Sequence, residues 1–377
     1  MFELLSLLQL QQLWWIIVSL LGGVFAFLLF VQGGQTLLFS LPANETEKTM
    51  LVNSLGRKWE LGFTTLVLFG GALFAAFPLF YATSFGGAYW VWLAILFCFI
   101  IQAVSYEYRK RPDNFLGTKT YERFLYLNGS LGVLLLGIAI STFFSGAQFH
   151  LDENRFVFWD NPLRGLEALW NPFNYLLAFT LFFLSRIGAG LYFINNIDHD
   201  ALHVKIKTML RSHTLLFLLF FVSFMGWILT KEGFAYDPLT KAVMIVPYHY
   251  LNNFAQMPWV LALFGLGVCL VVFGVSRALF STSKTSIKPF GVGVIFTVTA
   301  LFLTVGLNYT VFYPSLSDLQ SSLHIENASG SFYTLTTMSY LGLMIPFVVA
   351  YIAYAWYAMN RVKITEAEMN DSSQHHY

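Results

Sequence analysis

Long apolar stretches separated by short polar segments dominate the pattern of this chain. A helix needs about 20 apolar residues to cross a bilayer, because every backbone polar group must be satisfied within the segment. Nine stretches meet this length, at approximately 13–41, 61–84, 87–105, 126–144, 175–194, 214–230, 258–280, 289–311 and 335–359. The pattern predicts an all-α polytopic membrane protein with nine transmembrane helices in a single integral membrane domain, residues 1–360.

The composition agrees with this pattern, because 57% of the 377 residues are hydrophobic and only 11% are charged. Of the 21 Lys and Arg residues, 16 fall in loops on one side of the predicted spans, four on the other, and Arg186 inside a span. Cytoplasmic loops carry the excess of positive charge. The partition predicts an N-terminus outside and a cytoplasmic C-terminus. The net charge of +1 gives no reason to expect a nucleic-acid partner.

The first and fifth spans share an orientation, and KTML follows each of them, at 48–51 and 207–210. This favours two four-helix bundles in a parallel pseudo-repeat plus one additional helix, although shared interfacial composition also explains four matching letters. The segment 361–377 is polar and without periodicity, which is typical of a disordered cytoplasmic tail. We expect its two histidines, His375 and His376, to be inert.

Histidine, a frequent axial ligand of haem, occurs eight times but never at the middle of a predicted span. We therefore expect this chain to bind no haem alone. His199 and His203 have the i, i+4 spacing that places two imidazoles on one helical face. The other elements of a metal motif are missing there, so a solvated helix end is favoured and no metal site is expected.

Two charged residues lie in or beside predicted spans. Glu60 follows Trp59 at the start of the second span, where a carboxylate either belongs to a proton route or is favoured by the helix macrodipole. Arg186 requires an anion, for which Glu60, a carboxylate of a partner subunit and a lipid headgroup reached by snorkelling are the candidates.

The first span contains the polar sequence Gln32-Gly33-Gly34-Gln35. Two amides within a span need partners or water, so this patch either lines a polar pathway or accompanies close helix packing. The small residues of GGALFAAFP, at 70–78, favour close packing in the same way.

Five motifs follow one another in an order that resembles subunit II of cytochrome bd quinol oxidases. They are WW at 14–15, ETEKTMLVNSLGRKWE at 45–60, GGALFAAFP with a following Tyr at 70–81, YEYR at 106–109, and the run from YPS at 313 through SLHIENASGSFYTLTTMSY, which ends at 340. The resemblance spans nearly the whole chain, and the predicted topology agrees with it.

The resemblance implies an electrogenic terminal enzyme of the aerobic respiratory chain that oxidises quinol and reduces dioxygen to water. Two b-type haems, a d-type or further b-type haem, and the quinol site would lie in subunit I, the heterodimer partner. This chain would be the haem-less subunit in the bacterial cytoplasmic (inner) membrane, not catalytic alone, which stabilises subunit I and contributes to its proton path. Single-span accessory subunits and a structural quinone or lipid are compatible with it.

In the family, the Trp–acid pair falls on Trp59 and Glu60, and the acid lies on a route for cytoplasmic protons. Glu60 replaces the Asp of better-known members, whereas Gln32 and Gln35 replace two acids of a D-G-F-D-like segment. Amides hydrogen-bond water but carry no net charge, so the proton route is expected to differ here. Glu107 and Arg109, in YEYR, are assigned with Arg186 to structural charge pairing.

Two other classes of function compete with this interpretation. A secondary transporter uses broken helices near the midplane, for which only Pro346 offers a candidate break. A pure assembly scaffold would stabilise a catalytic partner without handling protons, and composition does not distinguish it from a proton-supplying subunit.

Overall fold

The computed structural model describes residues 1–369, apart from the side chain of Ala367, and the chain is predominantly helical. The helices are α1 (Leu7–Leu28), α2 (Phe30–Gln35), α3 (Glu45–Gly56), α4 (Trp59–Ala76), α5 (Pro78–Tyr81), α6 (Tyr89–Tyr108), α7 (Thr118–Leu127), α8 (Val133–Ser145), α9 (Pro172–Asn196), α10 (Asp200–Thr230), α11 (His249–Gln256), α12 (Pro258–Phe280), α13 (Ile287–Gly306), α14 (Ile325–Ala328), α15 (Phe332–Gly342), α16 (Ile345–Asn360) and α17 (Glu366–Met369). Two π-helical segments, Ala82–Gly87 and Asn128–Gly132, follow α5 and α7.

Eight helical segments of the described chain are long and apolar enough to cross a membrane. Helices α15 and α16, which meet at a bend of 41°, make a ninth if the pair is counted as one span. The prediction of an all-α polytopic membrane protein is therefore confirmed, with eight or nine spans among residues 1–369.

The helix bounds differ from the predicted spans where local chemistry extends or ends a helix. The first span begins at Leu7 because Ser6 and Gln9 form a capping box, and it ends at Gln35 rather than at 41. The second span ends at Ala76, before Pro78, whose ring cannot continue a regular helix. Helix α10 begins at Asp200 rather than at 214, because the charged segment before the apolar run is also helical.

An aromatic core fills the half of the bundle that holds the α1 N-terminus and the loops that follow α8, α10 and α13. Trp15 packs on Phe312 with 4.5 Å between ring centroids, and its indole donates to the carbonyl oxygen of Phe302 at 2.9 Å. Phe80 contacts Tyr313 at 5.1 Å. Phe312 and Tyr313 lie in the segment between α13 and α14, and both are buried. This segment is therefore part of the core.

The loops that follow α8, α10 and α13 each contain an antiparallel two-stranded ribbon, which the apolar pattern did not predict. The strands are β1 (Phe149–Leu151), β2 (Val157–Trp159), β3 (Gly233–Tyr236), β4 (Val243–Val246), β5 (Val311–Tyr313) and β6 (Leu323–His324). Single bridges between Ala147 and Ser315 and between Ala235 and Thr310 tie the ribbons together. The ribbons form one cap over the aromatic core.

The chain after α16 differs from the predicted disordered tail over residues 361–369. Ile364 is fully buried and pairs with Ile197 in a parallel bridge, in which Ile364 N donates to Asn196 O at 3.0 Å. Arg57 forms an ion pair with Glu368 at 3.0 Å. One apolar side chain in a polar segment therefore anchors it. His375 and His376 lie outside the described residues.

Helix α2 touches α9 through backbone contact at Gly33. A Cβ atom on Gly33 would lie 2.2 Å from the carbonyl carbon of Ser185 and 2.3 Å from its oxygen. Such distances exclude any side chain at this position. Close packing was the alternative to a polar pathway for this patch, and the glycines of the patch do pack closely.

We predict that Gly33→Ala destabilises the protein, whereas Gly226→Ala does not. Overpacking against backbone costs about 1–3 kcal/mol or more. A Cβ on Gly226, also within a span, would meet no atom within 4 Å, so this control leaves packing unchanged. Thermal unfolding followed by size-exclusion chromatography in detergent measures the difference, and equal midpoints for the two variants would contradict the Gly33 contact.

Candidate functional site

Two glutamines of α2 face α6 inside the bundle, and both are fully buried. Gln32 Nε2 donates to Gln102 Oε1 at 3.0 Å. Gln35 Nε2 donates to the hydroxyl oxygen of Tyr106 at 3.2 Å. Residues three or four apart lie on the same face of a helix, so each helix presents two polar groups to the other. The two amides of the first span therefore find polar partners on α6.

A fourth amide, Asn128, is fully buried beside this contact. It begins the π-helical segment Asn128–Gly132, which approaches α2 so closely that a Cβ on Gly129 would lie 2.2 Å from Gln32 O. Helix α4 lies on another side, since a Cβ on Gly62 would be 3.8 Å from both polar atoms of the Gln32 amide. We call Gln32, Gln35, Gln102 and Asn128 the amide strip.

The amide strip has more donors and acceptors than its side chains use on one another. Five buried atoms have no hydrogen-bond partner among the described residues: Gln32 Oε1, Gln35 Oε1, Gln102 Nε2, and both Asn128 Nδ2 and Oδ1. Leaving such a group unsatisfied costs about 1–3 kcal/mol. Neutral amides donate to and accept from water, so the strip is suited to bind water inside the membrane, although it holds no fixed charge.

Trp59 joins the amide strip, but Glu60 does not. The indole of Trp59 stacks on Tyr106, with ring centroids 5.7 Å apart and planes 13° apart. Successive residues of a helix point about 100° apart, and the side chain of Glu60 is exposed on the outer face of α4. Of the four residues predicted for the proton path, Gln35 and Trp59 contact Tyr106, and Gln32 contacts Gln102 one helical turn away. Glu60 lies one residue away and faces out of the bundle.

A buried group of charges lies one helical turn beyond Tyr106. Arg109 donates to Glu122 Oε1 through Nη2 at 2.7 Å and through Nε at 3.1 Å, and both side chains are only 1% exposed. Lys48 binds the other carboxylate oxygen of Glu122 at 3.3 Å and Glu45 at 2.8 Å. We call Lys48, Arg109 and Glu122 the charge cluster.

Glu122 is the acid that contacts Arg109, whereas Glu107 is the acid nearest to Arg109 in the sequence. The two acids have different roles. Glu107, two residues before Arg109, is exposed and forms an i, i+4 pair with Arg111 instead. Glu122, Gln102 and Asn128 were not singled out from the sequence. The only available signal for them was a polar residue at the end of an apolar span, and the sequence does not show which neighbour such a residue faces.

Within residues 1–369, Arg186 forms no ion pair with Glu60 or with the charge cluster. Its guanidinium sits over the ring of Phe182, with 5.3 Å between Cζ and the ring centroid. No ion pair within residues 1–369 involves it, and its Nε is buried without a partner there. Glu60, one of the three predicted anions, is therefore not its partner.

Most histidines of the described chain lie at helix starts or in loops, and His213 lies within α10. His199 Nδ1 accepts from Leu202 N at the start of α10, and His203 contacts Ile197 O at 2.9 Å. His249 contacts the Thr310 hydroxyl at 3.0 Å, and burial lowers its pKa to about 4. Within residues 1–369, no group of three His, Cys, Asp or Glu side chains is arranged to hold a metal ion.

The sequence of this chain is similar to a described family over nearly its whole length. The profile of the family "Cytochrome bd terminal oxidase subunit II" matches residues 10–359. Cytochrome bd-I ubiquinol oxidase subunit 2 of Escherichia coli strain K12 is 25% identical over 97% of this chain and 98% of that protein. Cytochrome bd ubiquinol oxidase subunit 2 of Bacillus subtilis strain 168 is 26% identical over 94% of this chain and 96% of that protein.

The fold is similar to that of a solved bd oxidase chain from Geobacillus thermodenitrificans. The TM-score is 0.63 at 14% sequence identity, and the match covers 93% of this chain and 99% of that chain. At this identity the comparison speaks for the fold alone.

We predict that Arg109→Ala or Glu122→Ala destabilises the protein by about 3–5 kcal/mol, because each breaks a buried ion pair whose two side chains are 1% exposed. Glu107→Ala removes an exposed pair and should cost about 1 kcal/mol or less. The double variant Arg109→Met with Glu122→Leu should recover most of the loss, since it leaves no orphan charge. Thermal unfolding in detergent measures all four, and a loss for Glu107→Ala equal to that for Glu122→Ala would contradict the charge cluster.

Proposed function

The chain belongs to the cytochrome bd terminal oxidase subunit II family, and on that premise we propose that it supplies protons to the haem-bearing subunit I of a quinol oxidase. Subunit II of a bd oxidase has a subunit I partner in the complex, and the haems of the family lie in subunit I. The complex is an oxidoreductase. The proposal places this chain in a bacterial cytoplasmic membrane, with its N-terminus outside.

The orientation is supported by the distribution of basic residues. The 16 Lys and Arg residues of one side include Lys48, Arg109 and Lys110, which surround the inner end of α6. The charge cluster and the Gln35 end of the amide strip would then face the cytoplasm. Protons for dioxygen reduction would enter at this side.

One observation carries the proposed route: the contact of Trp59 with Tyr106 connects the amide strip to the helix that bears Glu60. Neutral amides and a tyrosine hydroxyl can bind a chain of water molecules but do not store a proton. Glu60 is the ionisable group beside them. Water held by the amide strip would bring protons toward α4, and Glu60 would hand them to the neighbouring subunit.

The outer face of α4 is suited to receive subunit I. Val67, Leu68 and Phe74 lie 60%, 53% and 58% exposed on this face, in line with Glu60. Gly71 lies on the same face, and a Cβ atom added to it would meet no atom within 4 Å. Gly71 therefore does not serve helix packing within this chain, whereas Gly70 and Ala76 of GGALFAAFP are buried in it. Gly70, Gly71 and Phe74 of the motif line an open apolar groove of about 570 Å³ between α4 and α6.

Helix α16 adds to this surface, because none of its residues is buried. Its large apolar side chains include Phe347 at 71% and Tyr351 at 71% exposure. We propose that subunit I covers the face formed by α4, α6 and α16, so that Glu60 lies at the subunit contact. Partner contact rather than this chain's own packing would then keep Glu60 away from lipid.

We predict that mild-detergent purification through a tag on this chain recovers a haem-bearing subunit and quinol-driven oxygen consumption. Haem absorption spectroscopy and an oxygen electrode measure the two properties. A colourless, inactive single chain obtained from native membranes would contradict the proposed partnership and favour a transporter.

We predict that Glu60→Gln lowers quinol-driven oxygen consumption roughly tenfold or more while the haem content stays normal, because an amide cannot relay a proton. Gln35→Leu should also slow turnover, since it removes a water-binding group from the strip. Glu107→Gln, an exposed acid on the same side, is the control. Unchanged turnover of Glu60→Gln with intact haems would favour an assembly scaffold without a proton role.

A further inference from the structure

Arg186 is a cation held within a membrane span at some distance from either end. It lies on α9 ten residues before Asn196, the last residue of the helix, which corresponds to about 15 Å along the helix axis. An isolated charge at such a depth is rare in membrane proteins and is normally paired or solvated. The side chain therefore needs a counter-charge.

The described part of the chain offers this cation no carboxylate. No Asp or Glu of residues 1–369 forms an ion pair with Arg186, whose neighbours include the phenol of Tyr126. The ring of Phe182 covers one side of the guanidinium. Nε is buried and without a partner among these residues, so at least one donor is available for a ligand.

Other hydrogen-bonding groups with free atoms lie around Arg186. His213 of α10 stacks near Phe183, with 5.8 Å between ring centroids, and is an electrostatic neighbour of Arg186. His213 Nδ1 and the hydroxyl oxygen of Thr214 are buried without a partner in the described chain. Tyr126 of α7 is partly exposed on the other side. Tyr126 and His213 are thus neighbours of Arg186, and each of these side chains, like Thr214 beside His213, has a group that can donate a hydrogen bond.

From this arrangement we propose that Arg186, His213, Thr214 and Tyr126 bind the phosphate of an anionic phospholipid. A guanidinium binds phosphate through two parallel hydrogen bonds, which suits a buried arginine better than a single contact. Arg123, exposed one turn before Tyr126 on α7, adds a second positive charge near the entrance. The protein would therefore draw a lipid headgroup below the level of the surrounding headgroups.

A lipid fits the surroundings of the site better than a free ion. Leu215 and Leu219, which follow Thr214 on α10, are 69% and 59% exposed and offer an apolar surface for acyl chains. Arg186 lies nearer the end of α9 whose adjoining loops carry the excess of Lys and Arg. The lipid would then belong to the cytoplasmic leaflet, an assignment that rests on the proposed orientation.

The test uses the intact complex of this chain with its partner subunit, purified in mild detergent and returned to nanodiscs. Native mass spectrometry of the wild type should show a bound anionic phospholipid, and Arg186→Gln should reduce its occupancy roughly tenfold, as expected for loss of a charge-assisted bond. Lys207→Gln removes one cation from the same side and should retain the lipid. Arg186→Lys, which keeps the charge but loses the paired geometry, should show intermediate occupancy.

Thermal unfolding in nanodiscs of phosphatidylglycerol or phosphatidylcholine gives a second readout that does not depend on oxidase activity. The wild type and Lys207→Gln should unfold at a higher temperature in phosphatidylglycerol, whereas Arg186→Gln should lose this difference. If Arg186→Gln does not assemble, Arg186→Lys takes its place and should show a smaller difference than the wild type.

Three outcomes would overturn the proposal. Equal lipid occupancy and equal unfolding shifts in all variants would show that Arg186 binds no lipid. An equal increase caused by inorganic phosphate in phosphatidylcholine nanodiscs would assign the site to a free ion. Density for a carboxylate of another subunit beside Arg186 in the assembled complex would replace the lipid with a protein partner.

Discussion

The backbone contact between Gly33 of α2 and Ser185 of α9 fixes the direction in which the rest of the first span faces. With α9 pressed against Gly33, the helix turns Gln32 and Gln35, three residues apart, toward α6. A side chain at position 33 would separate the two helices and change this direction. The polar contact between α2 and α6 therefore depends on an apolar, close-packed contact on another face of the same short helix.

Because the dielectric constant inside the bundle is low, its few polar groups have a large effect on stability. A buried pair such as Arg109–Glu122 contributes little net stability by itself, yet losing either partner leaves a charge that the interior cannot solvate. The amide strip is neutral and avoids this penalty, while its unused donors and acceptors remain available to water. Along α6, the charged Arg109 lies at the end of the helix, and the hydrogen bonding of the amide strip continues inward without charge.

The two ends of the molecule differ in their chemistry. Aromatic rings and three β-ribbons close the end that holds the α1 N-terminus, where Trp15, Phe80 and Phe312 pack together. The other end holds the charge cluster and the anchored segment around Ile364. Between them, α4 and α16 expose apolar surface, and Arg186 lacks a counter-charge within residues 1–369. Both features are the basis of our proposals that a protein subunit covers the apolar surface and that a lipid binds Arg186.

The sequence by itself determined the spans, their all-α class and the family, because span length and hydropathy are set by bilayer thickness and because the motifs occur in a fixed order. It also identified Gln32, Gln35 and Trp59. Only the tertiary structure decided that Gln102 and Asn128 join the two glutamines, that Glu122 pairs with Arg109, and that Glu60 faces outward. Hydropathy reports how apolar a segment is, whereas the partner of a buried amide or charge depends on helix rotation. That rotation is set by contacts such as Gly33 with Ser185, between residues more than 150 positions apart in the sequence.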